Sequence, residues 1–137
     1  MSKVIWGKHV WKALHYIALG YPDNPTNEQK EDYKTFYLLL KTVLPCKICR
    51  DHYVDNLINL PLNDDALKDK DSLIKWSIDL HNLINQQLGN PILSYENALN
   101  ELKSYETCHQ NTSNNYNYNY LILLFITIFL IIYLYKK

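Results

Sequence analysis

The residues best placed to do chemistry are Cys46 and Cys49, in the stretch Pro45-Cys46-Lys47-Ile48-Cys49. A proline precedes the pair and an amphipathic run, Arg50 to Leu60, follows it, so the motif reads as the opening of a helix. Two cysteines at this spacing lie on neighbouring faces of one turn and can close a small disulfide. The unpaired N–H groups and the dipole of a first helical turn favour a thiolate there. A metal site and two ordinary buried cysteines are the rival readings. A thioredoxin-type motif sits between a strand and a helix, whereas this chain reads as helical on both sides. A zinc site would draw on Cys46, Cys49 and His52, with Cys108 and His109 far downstream as the remaining ligands. That arrangement would make the protein a membrane-tethered, zinc-stabilised helical adaptor without catalysis.

A second cluster lies in the run Trp76 to Asn85. His81 and Asn85 are four apart on one helical face, with Asn82 beside them. Trp11 and His15, also four apart, project an indole and an imidazole from one face of an earlier helix. Aromatic residues at this spacing are common in cores. The density of hydrogen-bonding side chains beside an apolar stripe, however, suits the polar edge of a bound ligand.

These residues need helices to hold them, and the pattern supplies helices throughout. Apolar positions recur at helical spacing from Val4 to Leu19. Tyr21-Pro22-Asp23-Asn24-Pro25 is a turn, and Thr26 or Asn27 caps a second helix that ends at Pro45. Tyr33, Phe36, Tyr37 and Leu40 form its inner face, and Tyr53, Val54, Leu57 and Ile58 that of the third helix. Asp71 or Ser72 caps a fourth helix that stops at Gly89, and Ser94 caps a short fifth through about Leu102. No stretch reads as a strand. The 137 residues are one domain plus an appendage, with zero formal net charge. There is no basic stripe, so nucleic acid is not an expected partner. Three cysteines are too few for a disulfide-stapled scaffold, and the odd number leaves Cys108 over.

The C-terminal end differs from the rest. Leu121 to Tyr135 is apolar apart from Thr127 and its tyrosines, with Tyr116, Tyr118 and Tyr120 ahead of it and Lys136-Lys137 behind. Tyrosines and lysines are residues that membrane interfaces attract, and the run with its tyrosine preface approaches one hydrocarbon thickness. The expected architecture is all-α: four or five short helices, a flexible neck and one C-terminal transmembrane helix. Residues 1–104 are the domain, 105–119 a flexible Asn/Tyr-rich tether, and 120–137 the anchor. With no signal peptide visible, the domain is expected to face the cytosol or a virion interior, whereas the positive-inside tendency of Lys136-Lys137 points to the opposite orientation. Modification of the sequon at Asn111 would count against a cytosolic domain.

Four blocks occur in order: Trp6-Gly7-Lys8-His9-Val10-Trp11-Lys12-Ala13-Leu14-His15; Tyr21-Pro22-Asp23-x-Pro25-Thr26; Pro45-Cys46-x-x-Cys49; and Trp76-x4-His81-Asn82-x-x-Asn85-x-x-Leu88-Gly89-x-Pro91. The series resembles the Erv/ALR family of FAD-linked sulfhydryl oxidases, including members from large DNA viruses, over about Trp6 to Leu102. The resemblance implies a four-helix bundle, usually a homodimer, with FAD in its mouth and no metal. By position it implies that Gly7, Lys8, Trp11 and His15 line the flavin site, and Ile78, His81, Asn82 and Asn85 the adenine and ribose side. Cys49 matches the cysteine beside the isoalloxazine ring and Cys46 the one that exchanges with incoming thiols. Electrons would pass from a protein dithiol, or a thioredoxin-like relay protein, through this pair and the flavin to O2, giving H2O2. Cys108 would be a shuttle, an intersubunit link or a spectator. Three departures stand out. The family's usual extra disulfide has no cysteines here between Asn59 and Lys70 or between Asn90 and Leu102. Asn90 replaces the common basic residue after Leu-Gly, and a tryptophan common near the domain's end is missing.

Overall fold

A computed structural model describes residues 3–135, with side chains over 5–104 and 120–135. Five helices follow in order: α1 (Lys3–Leu19), α2 (Asn27–Val43), α3 (Lys47–Asn59), α4 (Lys70–Leu88) and α5 (Tyr95–Tyr135). No strand occurs among the described residues. Two compact units are present, residues 1–98 and 99–137. In the first, α1 packs on α4, α2 on α3, and α3 on α4.

Local chemistry sets the helix ends. Thr26 caps α2 through a full capping box, its side chain accepting from the Gln29 N–H while the Gln29 side chain accepts from the Thr26 N–H. Pro45 holds Leu44 out of the helical region, at φ −56° and ψ 135°, so α2 stops at Val43. At α4 the cap is Asp69, not the expected Asp71 or Ser72. The Asp69 carboxylate accepts from the Ser72 N–H at 2.8 Å, and the Ser72 side chain and N–H together pull it below its ordinary acid range. Gly89 ends α4 in the left-handed region at φ 69°, where a side chain would be strained. Ser94 starts α5, accepting from the Asn97 N–H at 3.2 Å.

Tyrosines tie the core together. Tyr21, Tyr37 and Tyr53 are each fully buried, and each donates its hydroxyl to a backbone carbonyl, those of Leu67, Leu14 and Tyr37 respectively. Each link ties distant segments of the chain while satisfying a buried polar group, and burial holds the Tyr37 and Tyr53 hydroxyls well above their usual titration range. Leu73, Ile74, Trp76, Ile78 and Leu80 supply the buried stripe of α4. Two expected core faces are only partly so: Phe36 of α2 and Val54 and Ile58 of α3 are exposed.

The fifth helix is not short. Its backbone continues from Tyr95 to Tyr135, through the stretch read above as a tether. That stretch holds no glycine or proline to break it. The C-terminal run is helical and its apolar side chains, from Leu121 to Leu134, are exposed. Among the described residues no helix is long and apolar enough to cross a membrane. The described side chains of this run, 120–135, make about 24 Å of helix, short of a hydrocarbon core of about 30 Å.

Candidate active site

The first constellation is built on the break between α2 and α3. With Leu44 extended and Pro45 following it, the chain turns and Cys46 becomes the N-cap of α3, at φ −116° and ψ 122°. Its sulfur accepts from the Cys49 N–H at 3.2 Å. Cys46 and Cys49 form a disulfide, their Cα atoms 5.1 Å apart. Both are half-buried. Arg50, next along α3, donates to the Leu44 carbonyl and so fastens the turn that presents the pair. Lys47 and Asp51 form an exposed ion pair at 2.8 Å on the outer side of the same helix, and the Lys47 hydrogen bond lowers the Asp51 acid range. A disulfide at a helix N-terminus can be opened by an incoming thiolate, and the first turn stabilises the thiolate that leaves.

The zinc reading of the motif does not fit this arrangement. Both sulfurs are spent on each other, and among the described residues no group of three His, Cys, Asp or Glu could hold a metal ion. Cys108 and His109 lie outside the described side chains.

The second constellation joins α1 to α4. Trp11 stacks on His81 with ring centroids 4.3 Å apart and planes 7° from parallel. His15 reaches the same spot: its Nε2 is 3.0 Å from His81 Nδ1, and its Nδ1 is 3.0 Å from Ser77 Oγ. Burial holds both imidazoles down to about 4, with the charge of His81 adding to the effect on His15, so both are neutral near pH 7. Trp11, His15 and His81 are thus brought together across 66 residues of sequence between the two histidines. Ile78, buried, lies on α4 one residue after Ser77, while Gly7 and Lys8 lie upstream on α1.

Asn82 bonds to the chain that follows its own helix. Its amide is turned to the chain after α4, donating to the Leu93 carbonyl at 2.8 Å and accepting from the Leu93 N–H at 3.1 Å. It clamps the 90–94 strap to the helix. The Asn85 carbonyl accepts from the Asn90 N–H at 2.8 Å and its side-chain oxygen meets the Asn90 amide at 3.5 Å, while its own amide N–H groups donate to nothing among the described residues.

Two residues that carry no role in the sequence reading appear here. Ser77, fully buried, stands one turn before His81, and only the i, i+4 spacing on α4 hints at it. Trp6, one residue before Gly7, has a buried indole N–H with no hydrogen-bond partner.

The Erv1/Alr family model matches residues 8–106. This chain belongs to the Erv1/Alr family. It is 41% identical to a probable FAD-linked sulfhydryl oxidase of Acanthamoeba polyphaga mimivirus, over 85% of this chain and 81% of that protein. It is 31% identical to the Arabidopsis thaliana FAD-linked sulfhydryl oxidase, over 70% of this chain, and spans about half of that longer relative (49%). Among solved structures, the FAD-binding domain of Erv1 from Saccharomyces cerevisiae superposes with a TM-score of 0.62 at 27% identity, covering 70% of this chain and 89% of that one. The family match therefore spans both constellations and the bundle that carries them.

Proposed function

We propose that this chain is an FAD-dependent sulfhydryl oxidase, a thiol oxidase that forms disulfides in protein dithiols. The observation that carries the reading is the Cys46–Cys49 disulfide at the N-cap of α3, inside an Erv1/Alr domain. A substrate thiolate attacks Cys46 Sγ, breaking the Cys46–Cys49 bond and releasing Cys49 as a thiolate. The second substrate thiolate then displaces Cys46. The substrate leaves as a disulfide, and its two electrons stay on the Cys46–Cys49 dithiol. Bound FAD supplies the two-electron acceptor that reoxidises the pair and the route to O2, with H2O2 as product.

The residues present fit such a cofactor. A buried orphan donor at Trp6 calls for an acceptor. A Cβ at Gly7 would meet nothing within 4 Å, so the backbone there faces open space. The Trp11–His81 stack offers planar surfaces for an aromatic group, and Asn85 has unspent donors. Gly7, Lys8, Trp11 and His15 of α1 and Ile78, His81 and Asn85 of α4 would hold it, with Asn82 acting through the strap it clamps.

Three further features belong to the same proposal. A second copy of the chain would cover the exposed stripe Phe36, Leu39 and Val43 on α2, making a homodimer. The apolar run Leu121–Tyr135, prolonged in sequence by Tyr116, Tyr118 and Tyr120, would anchor residues 120–137 in a membrane, with residues 1–104 facing the cytosol or a virion interior. A protein dithiol or a thioredoxin-like relay protein would deliver the electrons.

Purified full-length chain in detergent should be yellow, carry FAD, and consume O2 when given dithiothreitol. A colourless protein that contains zinc would overturn the reading in favour of the adaptor.

A further inference from the structure

The histidine pair carries an inference that depends on where its protons sit. Ser77 Oγ lies 2.8 Å from the Ile74 carbonyl and 3.0 Å from His15 Nδ1. A hydroxyl has one proton to give and two lone pairs to receive with. Given to His15, that proton would leave the hydroxyl and carbonyl oxygens 2.8 Å apart with no hydrogen between them. Given to the Ile74 carbonyl, it leaves the hydroxyl free to accept from His15, and no contact is repulsive. The proton of His15 then sits on Nδ1, and its Nε2 is bare. His81 Nδ1, 3.0 Å away, must donate to it. A neutral imidazole carries a single N–H, so His81 Nε2 is left as an acceptor, and no protein group bonds to it among the described residues.

We propose that Ser77 is a positioning residue of the cofactor site: through the relay Ile74 C=O, Ser77 Oγ–H, His15 Nδ1–H and His81 Nδ1–H it fixes His81 in one tautomer and presents Nε2 as an acceptor for a hydrogen-bond donor of the bound cofactor. The ligand half of this proposal rests on the FAD reading above. The relay itself rests on the distances alone. Each element of it is locked. Ser77 is fully buried on α4, His15 is buried on α1, and the His81 ring is held flat against Trp11. Burial also keeps both rings neutral at neutral pH, which a single-proton relay requires.

The test is nitrogen NMR of the full chain, labelled with 15N-histidine and held in detergent at pH 7.5, without and with FAD. Without FAD, His15 and His81 should each show a pyrrole-type Nδ1 and a pyridine-type Nε2. Addition of FAD should move the His81 Nε2 resonance as it gains a donor. Ser77→Ala should let the tautomers mix at both rings and weaken FAD binding by roughly three- to tenfold, the worth of one hydrogen bond. Ser77→Thr, which keeps the hydroxyl, should restore both. A wild-type His81 protonated at Nε2, or tautomers unmoved by Ser77→Ala, overturns the relay. If the alanine variant does not fold, the wild-type spectrum alone decides. Expected tautomers in a chain that binds no FAD would overturn the ligand half and the oxidase reading, while the relay stands.

Discussion

Replacing Asn82 by alanine separates two ways in which a residue can serve a cofactor site. Asn82 sits in the run that family resemblance places on the adenine and ribose side, and its amide both donates to and accepts from Leu93. Among the described residues those two bonds are the only ones made by the Leu93 N–H and C=O, and they hold the strap between Gly89 and Ser94 against α4. Leu93 is exposed, so water can replace the lost partners. The cost is then the net worth of two hydrogen bonds without a desolvation penalty, about 1–2 kcal/mol in all. For a domain of this size that lowers the thermal midpoint by about 4–16 °C. Asn82→Asp should recover only part of the loss, because a carboxylate accepts from the Leu93 N–H but cannot donate to its carbonyl. The assay is thermal unfolding of the full chain in detergent, with and without FAD, beside a titration of FAD affinity. The strap reading predicts that the midpoint falls in both states. An unchanged midpoint without FAD, together with a large loss of FAD affinity, would refute it and make Asn82 a direct ligand.

The other predictions concern the redox pair, the histidines and Cys108. Cys49→Ser should keep FAD but reduce dithiothreitol turnover to background. Cys46→Ser should leave Cys49 as a lone thiol and give a long-wavelength charge-transfer band with bound flavin. Near-normal turnover by either variant would show the pair to be wrongly assigned. Stability should fall as pH drops from about 6.5 to about 4. The folded chain holds His15 and His81 at about 4 against 6.5 unfolded, so in that window the unfolded chain takes up protons that the fold refuses. Urea unfolding at a series of pH values reads this directly, and equal stability at pH 4.5 and pH 7 would contradict it. Cys108→Ser should leave dithiothreitol turnover intact but slow turnover of a protein dithiol if Cys108 relays electrons. Equal rates on both would make it a spectator.

The helices of the bundle were legible because their stop signals are chemical and local. Pro45 ends α2 through the conformation it imposes on Leu44, Gly89 ends α4 in a conformation that strains other residues, and Ser94 starts α5. The cap of α4 was less legible because Asp69, Asp71 and Ser72 are all good caps by type. Only the extended backbone at Asp69 decides among them. The end of α5 was misplaced for a related reason. A polar, asparagine-rich stretch lowers helix propensity without supplying a break, so composition alone suggested a tether where the backbone stays helical.

The two constellations divide along the same line. Cys46 and Cys49 are neighbours in sequence, so their spacing states most of their geometry: a cap, a turn and a bond between them. The histidine site is written in two segments, and periodicity shows only that each segment has a polar residue on an apolar face. Which polar atoms meet depends on the packing of α1 on α4. That packing puts His15 between Ser77 and His81, 62 and 66 residues away. Asn82, in the same run of α4, bonds to Leu93 of the strap that follows. A buried serine on an apolar helix face is an unremarkable residue until its two oxygen–partner distances are known. Those distances leave one proton with one place to go, and the acceptor at His81 Nε2 follows from that constraint.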